Sequence, residues 1–147
     1  MRARLDAILT ALRQSVGAAR VTLRLDDDRR QLSVADVTAE AVAPGVASLR
    51  GQTSIDQRAA GTIHWLEAHR RVLVQEDLRG ADPAPPAALV TVYGATAQML
   101  GPVIRGGHLV GWVSVHHTGG PRRWSASDVV ALERAVHAVH RELDAAD

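Results

Sequence analysis

MLGPVIRGGHLVGWVSVHHTGGPRRWSASDVVALE, residues 99–133, holds the clearest structural signal in the chain. Two apolar runs, Met99 to Arg105 and Leu109 to His117, flank Gly106-Gly107. Glycine accepts the positive φ angles of a tight hairpin, so this spacing predicts two antiparallel strands joined by a short turn. Along the second run the side chains alternate: Trp112, Ser114 and His116 share one face, and Leu109, Gly111, Val113 and Val115 share the other. After Gly119-Gly120-Pro121, the stretch Ser125-Ala-Ser-Asp128 supplies oxygens for capping a helix. Val129, Leu132, Val136, Val139 and Leu143 then follow at spacings of three and four, a seam that packs against another surface.

Outward from this stretch the chain alternates between helical and strand periods. Leu5, Ile8, Leu9, Leu12 and Val16 recur at helical spacing, with Gly17 as a stop. Val21 to Asp26 alternates apolar and polar residues and predicts a strand with one buried face. Asp26 to Arg30 reads as a polar turn and Leu32 to Val42 as a second strand, the two strands forming a hairpin. Pro44 to Thr53 reads as loop, and Ser54-Ile-Asp-Gln57 resembles a capping box for a helix whose face carries Ile55, Ala59, Ile63 and Leu66. Val72-Leu-Val74 predicts a third strand ending at Glu76-Asp77. Asp82-Pro-Ala-Pro-Pro86 interrupts structure, and residues 87–97 read equally as helix or loop. The resulting order, α-β-β-α-β-(α)-β-β-α, predicts an α+β fold with a largely antiparallel sheet and helices covering its faces.

The chain has 147 residues, enough for one compact domain spanning 1–147. Apolar residues make up 46% and charged residues 22%, the balance of an ordinary globular protein. There is no Cys and no Phe; Lys and Asn are missing too, so all 17 basic residues are Arg. Thiolate nucleophiles, Cys-ligated zinc, disulfides, Schiff-base lysines and the phosphate-loop lysine are thereby excluded. Net charge is +1 with His neutral, and the arginines are scattered, so neither nucleic acid nor a membrane is an expected partner. Asp6 and Arg13 interrupt the first apolar stretch, which reads as a helix rather than a signal peptide, and a cytoplasmic location is expected.

Together the element order and the local motifs resemble the GAF domain, a small sensor module related to PAS. The likeness is carried by Pro102 in a strand, the Gly106-Gly107 turn, Leu109 with Gly111, and Trp124-Ser125 with Asp128 opening the last helix. Arg71 to Asp77 resembles the family's middle strand. The resemblance implies a five- or six-stranded antiparallel sheet, terminal helices on one face, and a small-molecule pocket on the other. Cyclic-nucleotide binding in that family rests on a signature of Asn, Lys and Phe. Bilin attachment and free methionine sulfoxide reduction depend on Cys. None of these residue types is present, so the resemblance brings none of those roles to this chain.

Several polar residues are candidates for a site. His116-His117 are adjacent in a strand and point to opposite faces, and His64 and His69 are five apart on a helix, so neither pair shares an ion readily. Glu133, His137, His140 and Asp144 form a stripe that reads as a polar rim beside the apolar seam; no metal and no cofactor are expected. The face bearing Trp112, Ser114 and His116 suits a pocket wall with convergent hydrogen-bonding groups. Those same polar groups also fit internal satisfaction near a strand end. His64, Trp65 and Tyr93 are further candidates for the ligand site, and Glu76 stands beside His116 and His64 for acid–base chemistry.

Two functions fit. The first is a stand-alone GAF-type module that binds a small organic ligand and works as a homodimer through its terminal helices, where Val130, Ala131, Ala135 and Ala138 widen the apolar surface. The second is a small cofactor-independent isomerase, lyase or hydrolase using a His on an anionic substrate held by Arg.

Overall fold

The computed structural model describes residues 1–146. Helix α1 (Arg2–Val16) buries Leu5, Leu9, Leu12 and Val16 along one stripe. It ends at Gly17, whose φ of 71° lets its N–H return to the Arg13 carbonyl at 2.8 Å. Strands β1 (Arg20–Leu25) and β2 (Ala39–Val42) follow, then helix α2 (Gly61–His69), strand β3 (Leu73–Gln75) and the short helix α3 (Ala87–Thr91). Strands β4 (Ala95–Arg105) and β5 (His108–Thr118) and helix α4 (Ala126–Ala146) complete the chain.

All neighbouring strands are antiparallel, in the spatial order β2-β1-β5-β4-β3. The two longest strands are the arms of the predicted hairpin, and both glycines of its turn have positive φ, 56° and 79°. Because side chains alternate, odd-numbered residues through the middle of β1, β4 and β5 point one way, among them Val21, Leu23, Met99, Val103, Val113 and Val115. Leu109, expected on this face, lies instead with Leu100 and Trp112 on the other, because the β4–β5 register shifts between Val103 and Ile104. Helices α1 and α4 pack on this face through Leu5, Leu9, Leu132, Val139 and Leu143, which closes the main core. One glycine sets how close α4 comes to the sheet, and another how close β1 comes to β5. A Cβ on Gly101 would stand 2.8 Å from Val136 Cγ2 of α4, and one on Gly111 would stand 2.0 Å from the Arg24 carbonyl oxygen. The even-numbered face is covered by α2, α3 and the loops around them, over two smaller clusters built on Leu66, Leu100 and Trp112 and on Leu49, Leu78 and Leu89.

Helix α4 starts where the sequence placed it. Ser125 Oγ accepts from the Asp128 N–H at 3.1 Å, and Asp128 Oδ2 accepts from the Ser125 N–H at 3.0 Å, a reciprocal cap. Other boundaries move. The second strand is only Ala39–Val42; residues 28–30 form a 3-10 turn and Asp27 bridges Leu32, because the Asp27 carboxylate accepts from Arg30 and holds the chain in a tight loop. The Ser54 capping box does not form: Ser54 Oγ pairs with Gln52, residues 57–59 make a 3-10 turn, and α2 begins at Gly61 with no side-chain cap. Residues 87–97 divide between α3 and the start of β4. The expectation that β1 buries one face is also corrected, since all six of its residues are buried. It lies inside the sheet between β2 and β5, with helices over one side and loops over the other. No helix among the described residues is long and apolar enough to cross a membrane.

Candidate ligand-binding site

The antiparallel register lays the residues of the second face, even-numbered in β1, β4 and β5 and odd-numbered in β3, in rows across the sheet. Arg20, His116, Gln98 and Gln75 form one row, Thr22, Ser114, Leu100 and Leu73 the next, and Arg24, Trp112 and Pro102 a third. Directly opposed residues on neighbouring strands stand side by side, so these rows are contact rows. Above them lies a cavity with about 450 Å³ of empty space, part of which is open solvent. It is a narrow pocket.

Its floor is Thr22, Arg24, Gln98, Leu100, Trp112, Ser114 and His116. Its walls come from Thr62 and Ile63 of α2, Pro86 and Leu89 around α3, Tyr93, and Leu49, Ile55 and Gln57 from the long loop. Three of the candidates, Trp112, Ser114 and His116, thus meet Tyr93 at one space. His64, Trp65 and Glu76 lie elsewhere. His64 is exposed on the outer side of α2, while Trp65 stacks on His69 with ring centroids 4.2 Å apart. Glu76 ties β3 to the approach of α4: its carbonyl accepts from the Arg122 N–H at 2.9 Å and its carboxylate from the Trp124 N–H at 3.2 Å. Asp144, at the end of the α4 stripe, pairs with Arg105 at 2.9 Å.

The polar floor is internally ordered. Arg20, fully buried, donates from Nε to His116 Nδ1 at 3.0 Å, from Nη1 to the Ala47 carbonyl at 2.8 Å and from Nη2 to the Tyr93 carbonyl at 3.3 Å. An imidazole nitrogen that accepts carries no proton, so the His116 proton sits on Nε2. Burial, then the charges of Arg20 and Arg24, push the His116 pKa well below its ordinary 6.5 and keep the ring neutral. Nε2 makes no hydrogen bond to any of the described residues. No fully buried side-chain nitrogen or oxygen lacks a partner among the described residues, so Nε2 is the part of the ring that reaches the cavity. A second chain of logic orients Gln98. Gln75 Nε2 donates to the Pro83 carbonyl at 2.6 Å, which leaves its Oε1 to accept from Gln98 Nε2 at 2.9 Å. Gln98 Oε1 therefore faces the cavity as an acceptor.

Sequence reasoning missed Arg20, Thr22, Arg24, Gln98 and Thr62. The alternation in Val21 to Leu25 already put Thr22 and Arg24 on one face, but read alone it assigned that face to solvent. A partner strand and loop covering both sides turn the same residues into a polar cavity floor.

A sheet that is helix-packed on one side and hollow on the other is the architecture of small GAF- and PAS-type α+β modules. The GAF domain model matches residues 1–143, and the chain belongs to that family. Similar solved structures include the blue-light-absorbing form of the Thermosynechococcus elongatus PixJ GAF domain. It is 22% identical, with a TM-score of 0.69 over 99% of this chain and 90% of that one. The photoproduct state of a GAF3 domain from Synechocystis is 19% identical, TM-score 0.71, covering 97% and 94%. Free methionine-R-sulfoxide reductase from Neisseria meningitidis, in complex with its substrate, is 14% identical, TM-score 0.69, covering 97% and 77%. At these identities the likeness is one of fold. No curated protein matches the chain.

Proposed function

We propose that the chain, as one module, binds a small organic molecule in the cavity over β1, β4 and β5, and that it does so as a homodimer through α1 and α4. The observation that carries the reading is the convergence of His116 Nε2–H, Gln98 Oε1 and the Ser114 and Thr22 hydroxyls beside the Trp112 ring on one buried floor. Buried polar groups that hydrogen-bond to nothing else are unfavourable unless a guest or water completes them. Trp112 supplies apolar area, and Arg58, over its ring at 5.8 Å and paired with Asp26, steadies it.

Acid–base catalysis finds less support. Among the described residues no Asp or Glu lines the cavity. His116 is braced by an arginine rather than oriented by a carboxylate, which lowers its basicity instead of raising it. For the dimer, the outer groove between α1 and α4 is mostly apolar and small-residue-rich, lined by Ile8, Ala11, Leu12, Ala131, Ala135 and Ala138 together with Ser15 and Arg134. Native mass spectrometry of protein purified without denaturant tests the binding reading. The expected result is a mass in excess of the polypeptide by a small organic molecule, lost from a Ser114→Phe variant whose ring fills the cavity. A Ser114→Phe variant that retains the extra mass would contradict it.

A further inference from the structure

Strand β1 carries two buried arginines four residues apart on the cavity face, and they are satisfied very differently. Arg20 is bonded through all three nitrogens and sits behind His116. Arg24 is only 4% exposed and makes one side-chain hydrogen bond, from Nη1 to the Val34 carbonyl at 3.0 Å. Its Nε and Nη2 bond to nothing among the described residues. As no fully buried side-chain nitrogen or oxygen lacks a partner among the described residues, neither is completely buried, and Arg24 lines the cavity.

No carboxylate stands within ion-pair distance of Arg24 among the described residues, and the nearby acids are held by other groups. Asp26 accepts from Arg58 at 2.7 Å and from the Val34 N–H at 2.8 Å. Asp36 accepts from the Val37 N–H at 2.7 Å, and Glu40 from the Leu49 N–H at 2.8 Å and the Ser48 hydroxyl. A buried, unpaired cation is unfavourable and is retained where something else neutralises it. The open Nε–Nη2 edge is one of the two forks by which a guanidinium takes both oxygens of a carboxylate. His116 Nε2–H adds a donor on the same floor, and Trp112 and Leu100 offer an apolar bed.

We infer that Arg24 anchors a short organic carboxylate, its two oxygens on the Nε–Nη2 edge and its hydrocarbon end against Trp112 and Leu100. This assignment rests on the small-molecule reading of the cavity and specifies its ligand class. A phosphoryl group fits less well. Among the described residues Arg24 is the one arginine that lines the cavity, and the first amides of α2 are already taken, those of Ile63 and His64 by the Ala60 carbonyl and that of Thr62 by the Ala84 carbonyl.

The test has one arm that needs no ligand. Arg24→Met removes an unpaired charge, so the ligand-free variant melts at or above the wild-type temperature, whereas Arg20→Met, which breaks three hydrogen bonds, melts lower. Equal losses in both variants overturn the inference, because Arg24 is then structural. In the second arm the protein is titrated calorimetrically with straight and branched monocarboxylates from acetate to hexanoate, their neutral amides, and inorganic phosphate. At least one carboxylate is expected to saturate the wild type while its amide and phosphate do not. Arg24→Gln, which keeps a donor for the Val34 carbonyl, is expected to weaken that carboxylate at least tenfold. Failure of every carboxylate, preference for phosphate, or undiminished binding by Arg24→Gln overturns the anion assignment. Amides that bind as tightly as the acids overturn it too, while leaving the cavity itself a small-molecule site.

Discussion

At the scale of single residues, the pairing of Arg20 with His116 decides how the cavity behaves. An arginine has only donors, so facing it a histidine has to present a bare nitrogen, and the second nitrogen is left to donate inward. The arrangement also makes stability depend on pH. His116 in the folded chain titrates well below 6.5, first because it is buried and then because Arg20 and Arg24 are near. In the unfolded chain it titrates near its ordinary value. As pH falls below about 6.5 the unfolded state takes up a proton that the native state refuses, so this contribution is present above that pH and is lost below it. His117 and His140, held low chiefly by burial, act in the same direction. Urea unfolding at pH 7 and pH 5 is expected to show a loss approaching about 1.4 kcal/mol per pH unit from His116, part of which His116→Gln removes. Identical pH slopes for wild type and variant would count against a neutral buried ring. The pairing itself was not legible in the sequence: positions 20 and 116 are brought together only by the β1–β5 register, which no local pattern encodes.

Elements with strong local signals were legible, and those that depend on what covers them were not. The Gly106-Gly107 turn and the Ser125–Asp128 cap are each complete within a few residues, and the structure has them as read. The Ser54-Ile-Asp-Gln57 motif was equally local in form, yet its residues serve the cavity wall: Ile55 and Gln57 line it while Ser54 turns to Gln52. Gly111 shows a local residue with a distant cause. Val113 and Val115 face the terminal helices as expected, Leu109 is turned by the irregularity in the β4–β5 register onto the other side with Leu100 and Trp112, and at Gly111 the β1 backbone comes too close for any side chain. Gly111→Ala is therefore expected to destabilise the fold by about 1–3 kcal/mol. The measurement is the urea midpoint of the variant; an unchanged midpoint would show that β1 and β5 yield more easily than their spacing implies.

Taken whole, the molecule divides its work between two faces of one sheet. Helices α1 and α4 seal the odd-numbered side and leave an outer groove, with Val130 of α4 42% exposed near its start. A second copy laid on that groove would bury both patches around a two-fold axis in a four-helix interface. Sedimentation at micromolar concentration is expected to give a dimer for wild type and a monomer for Ala11→Glu, which puts a charge at an exposed position of α1 in the groove. A wild-type monomer, or an Ala11→Glu dimer, contradicts that interface. The even-numbered side carries the central claim, that the row of Trp112, Ser114 and His116 holds a small molecule. The most direct test is calorimetry with the compound recovered from the native protein, on wild type, His116→Ala and His117→Ala. The account predicts about ten- to a hundredfold weaker binding for His116→Ala, the loss of one buried hydrogen-bonding partner, and none for His117→Ala, whose side chain points to the helical side. Weaker binding by His117→Ala with His116→Ala unaffected would place the ligand on the opposite face and contradict it.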